Sequence, residues 1–189
     1  ATGTINGEGT VSALTYDLTG ASVNANLGTG SLTSNGDTNL NGDANADTVT
    51  VASGTLTVDG ALTSNTATVN VEAGTLAANG TVEASSIDVQ GGANLTTGEA
   101  ERLNDGVALT ANGSVNLGGD ETIGDLSGSG LVDNNGNDLT VTQTSDQAFN
   151  GNLTGAGGLA KQGEANLTLE NGSDFTGTAN VDEGTLTVS

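Results

Sequence analysis

The sequence contains no cysteine and no histidine, and its only cationic side chains are Arg102 and Lys161. Without cysteine the chain can form neither disulfides nor catalytic thiolates. Without histidine, the Ser/His and Cys/His nucleophile systems are excluded, as are zinc sites built on histidine or cysteine. The chain therefore lacks most of the side chains on which enzymes depend, and we expect it not to be an enzyme.

Positive charge is almost missing from the chain. Its 189 residues carry 23 acidic side chains against 2 basic ones, a formal net charge of −21. A nucleic-acid backbone or an anionic membrane must be met by Lys and Arg, so neither is an expected partner. No run of apolar residues is long enough to span a bilayer, which predicts no membrane insertion.

Large apolar residues are few, but they recur at a fixed period. Leu, Ile, Val and Phe make up roughly a fifth of the chain, a share that with this charge would favour disorder. Three ladders with a common period of about 20 instead predict coils of three short strands, stacked as a parallel β-solenoid. The ladders are Leu56, Leu76, Leu95 and Val115; Leu62, Val82 and Leu103; and Val69, Ile87 and Val107.

Apolar and hydroxyl residues alternate within the repeats, and Gly, Asn and Asp separate them, as in strands joined by tight corners. Thr and Asn at equivalent positions are expected to form hydrogen-bond ladders along the rod. We predict one solenoid over residues 1–189, with nine or ten coils and a length of roughly 45 Å at the usual strand spacing. Its coils are expected to be less regular over 1–52, where 13–15 and 31–33 are plausible strands, and regular over 53–118. Longer loops are expected over 119–189, because the steps from Val115 to Leu139 and from Leu139 to Leu167 exceed the common period.

Two stretches resemble a known family. Residues 102–130, from Arg-Leu-Asn-Asp through Asn-Leu-Gly-Gly-Asp-Glu to Gly-Ser-Gly, are similar to bacterial autotransporter passenger sequence. The end of the chain, from Gly155–Gly163 through Leu167-Thr168-Leu169 to Glu183–Val188, resembles the autotransporter-associated β-strand repeat of large adhesins. The resemblance covers roughly residues 53–189 well. It implies a right-handed parallel β-helix, secreted or displayed on the bacterial cell surface.

Calcium is the one cofactor for which the sequence offers ligands. Residues 34–39 and 42–49 crowd oxygen-bearing side chains between glycines, which suits a hard cation. The candidate ligands are Asp37, Asp43, Asn45 and Asp47. The alternative is that these Asn, Asp and Gly residues simply form turns. By the same reasoning Gly155–Gly158, which no Gly-Lys-Ser/Thr motif follows, is expected to be a solenoid corner and not a phosphate loop.

A rod with no catalytic side chains is expected to be a structural or adhesive protein. The alternatives are a carbohydrate-active β-helix enzyme working with paired carboxylates, or a calcium-dependent polysaccharide-binding module. Both termini lie within the repeat, so either the chain continues or the coil ends pair with other copies of the chain. In the second case we expect residues 183–188 to meet residues near 3–11 and to build a filament. Cell-surface glycans or proteins are further candidate partners.

Overall fold

The computed structural model describes residues 1–171 and 173–189, with the side chains of residues 65–67 left out of that description. Within this part of the chain the regular elements are all β-strands, and no helix is present that could cross a membrane. Neighbouring strands pair in parallel, and the longest stack along one face has ten strands. The predicted all-β parallel solenoid of nine or ten coils is therefore confirmed.

The strands lie on three faces of the rod. Face 1 consists of Gly3–Ile5, Ala21–Val23, Thr38–Leu40, Thr55–Val58, Thr75–Ala78, Asn94–Thr97, Ser114–Asn116, Leu131–Asp133, Asn152–Gly155 and Asp174–Phe175. Face 2 contains Thr10–Val11, Asn26–Leu27, Ala44–Asn45, Glu121–Ile123, Leu139–Thr142, Leu159–Gln162 and Ala179–Val181. Face 3 contains Thr15–Leu18, Ser31–Asn35, Thr48–Ser53, Ala108–Ala111, Leu126–Ser127, Gln147–Phe149, Asn166–Leu169 and Thr185–Val188. Two longer strands, Leu62–Val71 and Val82–Val89, run from face 2 onto face 3.

The core is a set of inward columns that follow the rod axis. Leu56, Leu76, Leu95 and Val115 pair in register from coil to coil, and all four are fully buried. The second ladder also holds, because Leu62 pairs with Val82 and Val82 bridges to Leu103. Burial alternates with exposure along these strands, since successive side chains of a strand point to opposite sides.

The last member of the third ladder was predicted wrongly. Val69 pairs with Ile87 as expected, but Ile87 pairs with Leu109 and not with Val107. Val107 is buried in the turn before Ala108–Ala111, where its N–H donates to the carbonyl of Asn104. Val107 and Leu109 are next-but-one neighbours in sequence, so both match an alternating pattern and the sequence alone could not separate them.

Coil length varies along face 1. Val115 pairs with Val132 across a short coil, whereas Val132 pairs with Leu153 across a longer one. The wide steps from Val115 to Leu139 and from Leu139 to Leu167 are not coil lengths, because these three residues lie on faces 1, 2 and 3 respectively. The long loops inferred from those steps therefore rested on a comparison between different faces.

The strand expected over residues 31–33 is present within Ser31–Asn35, but the one expected over 13–15 is displaced. The strand in that coil is Thr15–Leu18, and Leu14 before it is 91% exposed. The inward residues there are Tyr16 and Leu18. Leu14 continues the same every-second-residue pattern towards the N-terminus, so alternation alone placed the strand too early.

The corners stack as closely as the strands do. At the corner before face 1, Gly74 has a φ of 87°, and an added Cβ would lie 2.1 Å from the carbonyl oxygen of Gly54 in the preceding coil. Only glycine fits such a backbone at such a distance. Gly155 ends a face 1 strand and Leu159 begins a face 2 strand, so the glycine-rich stretch between them is a corner, as predicted.

Hydrogen-bond ladders of polar side chains run along the outside. The Asn24 amide donates to Asn6 (2.6 Å), and the Asn41 amide in turn donates to Asn24. Further along the same corner, Asn79 donates to Asp59 at 2.9 Å. On face 3, the hydroxyls of Thr68 and Ser86 are 2.7 Å apart. The Asn contacts form the expected ladder, whereas the hydroxyl contact on face 3 joins only two coils.

Candidate functional site

The four calcium candidates belong to one coil but lie at different places around it. Asp37 precedes the face 1 strand Thr38–Leu40, and Asp43 occupies the corner between faces 1 and 2. Asn45 is in the face 2 strand, and Asp47 follows at the next corner. Asp43 and Asn45 line a common surface groove. The structure therefore brings two of the four together and leaves Asp37 and Asp47 at other corners.

The aspartates among these candidates have a role in the coil itself. Oδ1 of Asp37 accepts the backbone N–H of Thr55 (2.9 Å), and Oδ1 of Asp43 accepts that of Ala61 (3.0 Å). Each carboxylate thus binds the backbone of the next coil. No group of three or more acidic side chains in the described part of the chain is arranged to hold a metal ion. Calcium binding stays a prediction.

The same device recurs far from the calcium candidates. Asp120 accepts the N–H of Asp138, and Asp138 accepts the N–H of Gly158, both at 2.8 Å. Asp146 likewise accepts the N–H of Asn166 at 2.8 Å. A corner carboxylate that accepts a backbone N–H from the adjacent coil satisfies a donor that the strand pairing leaves free. These aspartates are therefore part of the corners that they stabilise.

A buried carboxylate, Glu121, was not foreseen from the sequence. It starts the face 2 strand Glu121–Ile123 with its side chain inside the rod and 1% of its surface exposed. Its Oε1 accepts the N–H of Arg102 (2.9 Å) and its Oε2 that of Leu103 (3.2 Å). Face 2 of that preceding coil is reduced to the single bridge at Leu103, so the carboxylate takes the place of strand pairing.

Burial raises the pKa of Glu121 to about 7, and the negative charge of Glu101 acts in the same direction. The two backbone N–H donors and a side-chain bond from Thr97 oppose this rise, because they stabilise the carboxylate. Near neutral pH the group is therefore divided between its protonated and ionised forms.

Lys161 is the second charge inside the rod. It is fully buried in the strand Leu159–Gln162, in register with Val141 on one side and Val181 on the other. Its Nζ donates to the carbonyl oxygens of Gln162 (2.6 Å), Gly163 (2.8 Å) and Glu183 (3.2 Å). Burial lowers the pKa of this ammonium group, although the nearby charge of Glu183 favours the protonated form. Of the three carbonyls, that of Glu183 lies in the last coil, so this bond ties the last coil to the coil beneath it.

The sequence does contain a signal for both buried charges. Glu121 lies two positions from the inward Ile123 in its strand, and Lys161 lies two positions from the inward Leu159. Alternation therefore places both charged residues on the inward side. Isolated charges are costly to bury, so alternation alone does not show that a charged residue occupies an inward position. In both places backbone groups at a corner supply the missing hydrogen bonds.

The two ends of the rod are its most distinctive surfaces. The first coil, residues 3–18, and the last coil, residues 174–188, each pair through all three strands on one side only. On the outer edge of the first coil, Ala1 donates to the carbonyl of Asp17 and accepts the N–H of Thr19. The strands of these two coils have no further strand partner on their outer edges in the described part of the chain. The large apolar side chains with substantial exposure, among those the structure describes, are all in these coils: Val11 (38%), Leu14 (91%), Val181 (47%) and Val188 (57%).

Tyr16 partly fills the interior of the first coil. The side chain extends inward from face 3, is 6% exposed, and its hydroxyl donates to the carbonyl of Val11 on face 2 at 2.8 Å. The same hydroxyl accepts the N–H of Ala13. Tyr16 thereby braces the outermost coil across its width. Ile5 on face 1 is half-buried and packs against the same core.

The junction expected between residues 183–188 and residues near 3–11 does not match the faces. Thr185–Val188 lies on face 3, as does Thr15–Leu18, whereas Gly3–Ile5 lies on face 1. A copy stacked along the axis would therefore place residues 185–188 against residues 15–18. The error arose because the faces of the first coil had not been assigned.

The fold and these sites define a parallel β-solenoid with acidic corners and two buried charges, Glu121 and Lys161. No protein-family model, curated protein or solved structure matches the chain.

Proposed function

We propose that the chain is a non-enzymatic structural and adhesive β-solenoid, exported to a bacterial cell surface, which associates end to end with other copies of itself. The observation that carries this proposal is the concentration of exposed large apolar side chains in the first and last coils. Buried apolar surface is the main driving force for association, and unpaired strand edges are ready templates for another strand. Along the lateral faces, cell-surface glycans or proteins are further candidate partners.

The acidic side chains support a structural role. Asp37, Asp43, Asp120 and Asp138 each accept a backbone N–H of the neighbouring coil. A carboxylate engaged in this way is held in place as a corner acceptor, whereas general acid–base catalysis needs a carboxyl group within reach of a substrate proton. These four carboxylates thus stabilise the contact between neighbouring coils.

Export to a cell surface is supported by composition and by resemblance. The chain has no cysteine, and stretches of its second half are similar to autotransporter passenger sequence. A net charge of −21 also keeps individual rods apart sideways, since like-charged surfaces repel. Axial contacts are less affected, because most of the charge lies along the sides of the rod.

Electron microscopy at rising NaCl concentration tests the proposal. We expect rods joined end to end, longer at higher salt because screening reduces the repulsion between acidic ends. Val188→Asp, which places a charge on the exposed end, should shorten them. Thr168→Asp, which adds the same charge one coil further in, is the matched control and should leave their length unchanged. Single rods at every salt and protein concentration would contradict the proposal.

A further inference from the structure

The first and last coils have the same spacing of inward residues. In the first coil these residues are Ile5, Val11, Tyr16 and Leu18, with intervals of 6, 5 and 2. In the last coil they are Phe175, Val181, Leu186 and Val188, again with intervals of 6, 5 and 2. The two coils therefore carry large apolar side chains at matching places around the rod.

This spacing is not a general property of the solenoid. In the second coil the corresponding residues, Val23, Leu27, Leu32 and Ser34, have intervals of 4, 5 and 2. The third coil repeats 4, 5 and 2 with Leu40, Ala44, Val49 and Val51. The spacing of inward residues in the first coil is thus closer to that in the last coil than to that in the second coil, on which the first coil is stacked.

We propose that the last coil of one copy stacks on the first coil of another in one continuous register, with the same offset in residue number on all three faces. Phe175 then lies over Ile5, Val181 over Val11, and Leu186 and Val188 over Tyr16 and Leu18. The inference rests on the proposed self-association and specifies its register. The strands Thr185–Val188 and Thr15–Leu18 are equal in length and would pair along face 3. Val188 would then take the place of Ala1, which bonds to the backbone of Asp17 and Thr19 in the single chain.

The charges of the two coils agree with this register. The acidic residues of the last coil, Asp174, Asp182 and Glu183, fall over Thr4, Ser12 and Ala13. Those of the first coil, Glu8 and Asp17, fall under Thr178 and Thr187. No carboxylate is placed on another, and adjacent like charges are what would most oppose a stack of two acidic ends. The contact is head to tail, so it does not close and it builds a filament.

The register can be tested by cross-linking, because the chain has no cysteine of its own. Asp17→Cys with Thr187→Cys forms one in-register pair on face 3, and Thr4→Cys with Asp174→Cys forms another on face 1. All four side chains are exposed. Within one molecule the members of a pair are at opposite ends of the rod, so a short bismaleimide can join them only between copies.

The crossed combinations are matched controls. Thr4→Cys with Thr187→Cys, and Asp17→Cys with Asp174→Cys, use the same four sites but place the partners on different faces. We expect covalent multimers on a denaturing gel for both in-register pairs, at least tenfold more than for the crossed pairs. Mass spectrometry of the linked peptides identifies the joined residues.

The outcomes separate the register from self-association itself. Equal linking of in-register and crossed pairs, or filaments without linking of either in-register pair, would overturn the proposed register while leaving end-to-end association in place. Absence of filaments and of multimers for every pair at high salt would overturn the proposed function, and the register with it.

Discussion

Glu121 should make the stability of the solenoid fall between about pH 4.5 and pH 7. Its pKa is raised from 4.5 to about 7 by burial, so the folded chain binds the proton more tightly than the unfolded chain does. Below the unfolded pKa the side chain is protonated in both states and its contribution is fully present. As the pH rises through the folded pKa, the folded state must hold a buried carboxylate and this contribution is lost.

The magnitude follows from the rise in the pKa of Glu121 on folding, from 4.5 to about 7. A rise of this size corresponds to roughly 3 kcal/mol of unfolding free energy. The chain carries 23 acidic side chains in all, so the wild-type profile alone does not isolate Glu121. Glu121→Gln keeps the shape of the protonated side chain and cannot ionise, and it provides the matched background.

Urea denaturation followed by far-ultraviolet circular dichroism, from pH 4 to pH 8, measures this difference. At pH 4 the two proteins should differ least, with the wild type at least as stable as Glu121→Gln. At pH 8 the wild type should have lost about 3 kcal/mol relative to the variant. Parallel profiles for the two proteins across the whole range would refute the assignment of a raised pKa to Glu121.

Three further predictions concern the core, the corners and calcium. Leu76→Asp places an unpaired charge in a fully buried column and should cost at least about 4 kcal/mol in urea denaturation, whereas Thr75→Asp on the same strand should cost under about 1 kcal/mol. Gly74→Ala should destabilise the rod more than Gly92→Ala in the same assay. The two glycines have similar φ values, 87° and 91°. An added Cβ at Gly74 would lie 2.1 Å from the Gly54 carbonyl oxygen, whereas one at Gly92 would have nothing within 4 Å. If Asp37, Asp43, Asn45 and Asp47 hold calcium, millimolar Ca²⁺ should raise the melting temperature beyond the effect of Na⁺ at equal ionic strength. Equal melting temperatures in the two salts would mean that Ca²⁺ acts only by screening charge.

The regular middle of the chain could be predicted from the sequence because its coils are nearly equal in length. Leu56, Leu76 and Leu95 pair in successive coils at almost the same spacing, and a search with one fixed period finds them. The first coils are shorter, and their inward column on face 1 is Ile5, Val23, Leu40 and Val58. A search at the period of the middle coils therefore missed a column whose inner members are just as well buried.

The buried charges could not be predicted by the same reasoning. Alternation places Glu121 and Lys161 inside, but only the neighbouring coil shows which groups satisfy them there. The donors to Glu121 are the backbone N–H groups of Arg102 and Leu103, and one acceptor of Lys161 is the carbonyl of Glu183. These partners lie a whole coil away in sequence, so their contact depends on coil lengths that the sequence pattern leaves open.

Sedimentation velocity of the unaltered chain, over a range of concentrations at low and high NaCl, tests the central claim of self-association most directly. We expect species at multiples of the 18.2 kDa chain mass, more abundant at higher protein and salt concentrations, with frictional ratios that rise with mass as in a growing rod. A single 18.2 kDa species under every condition would show that the chain does not associate with itself.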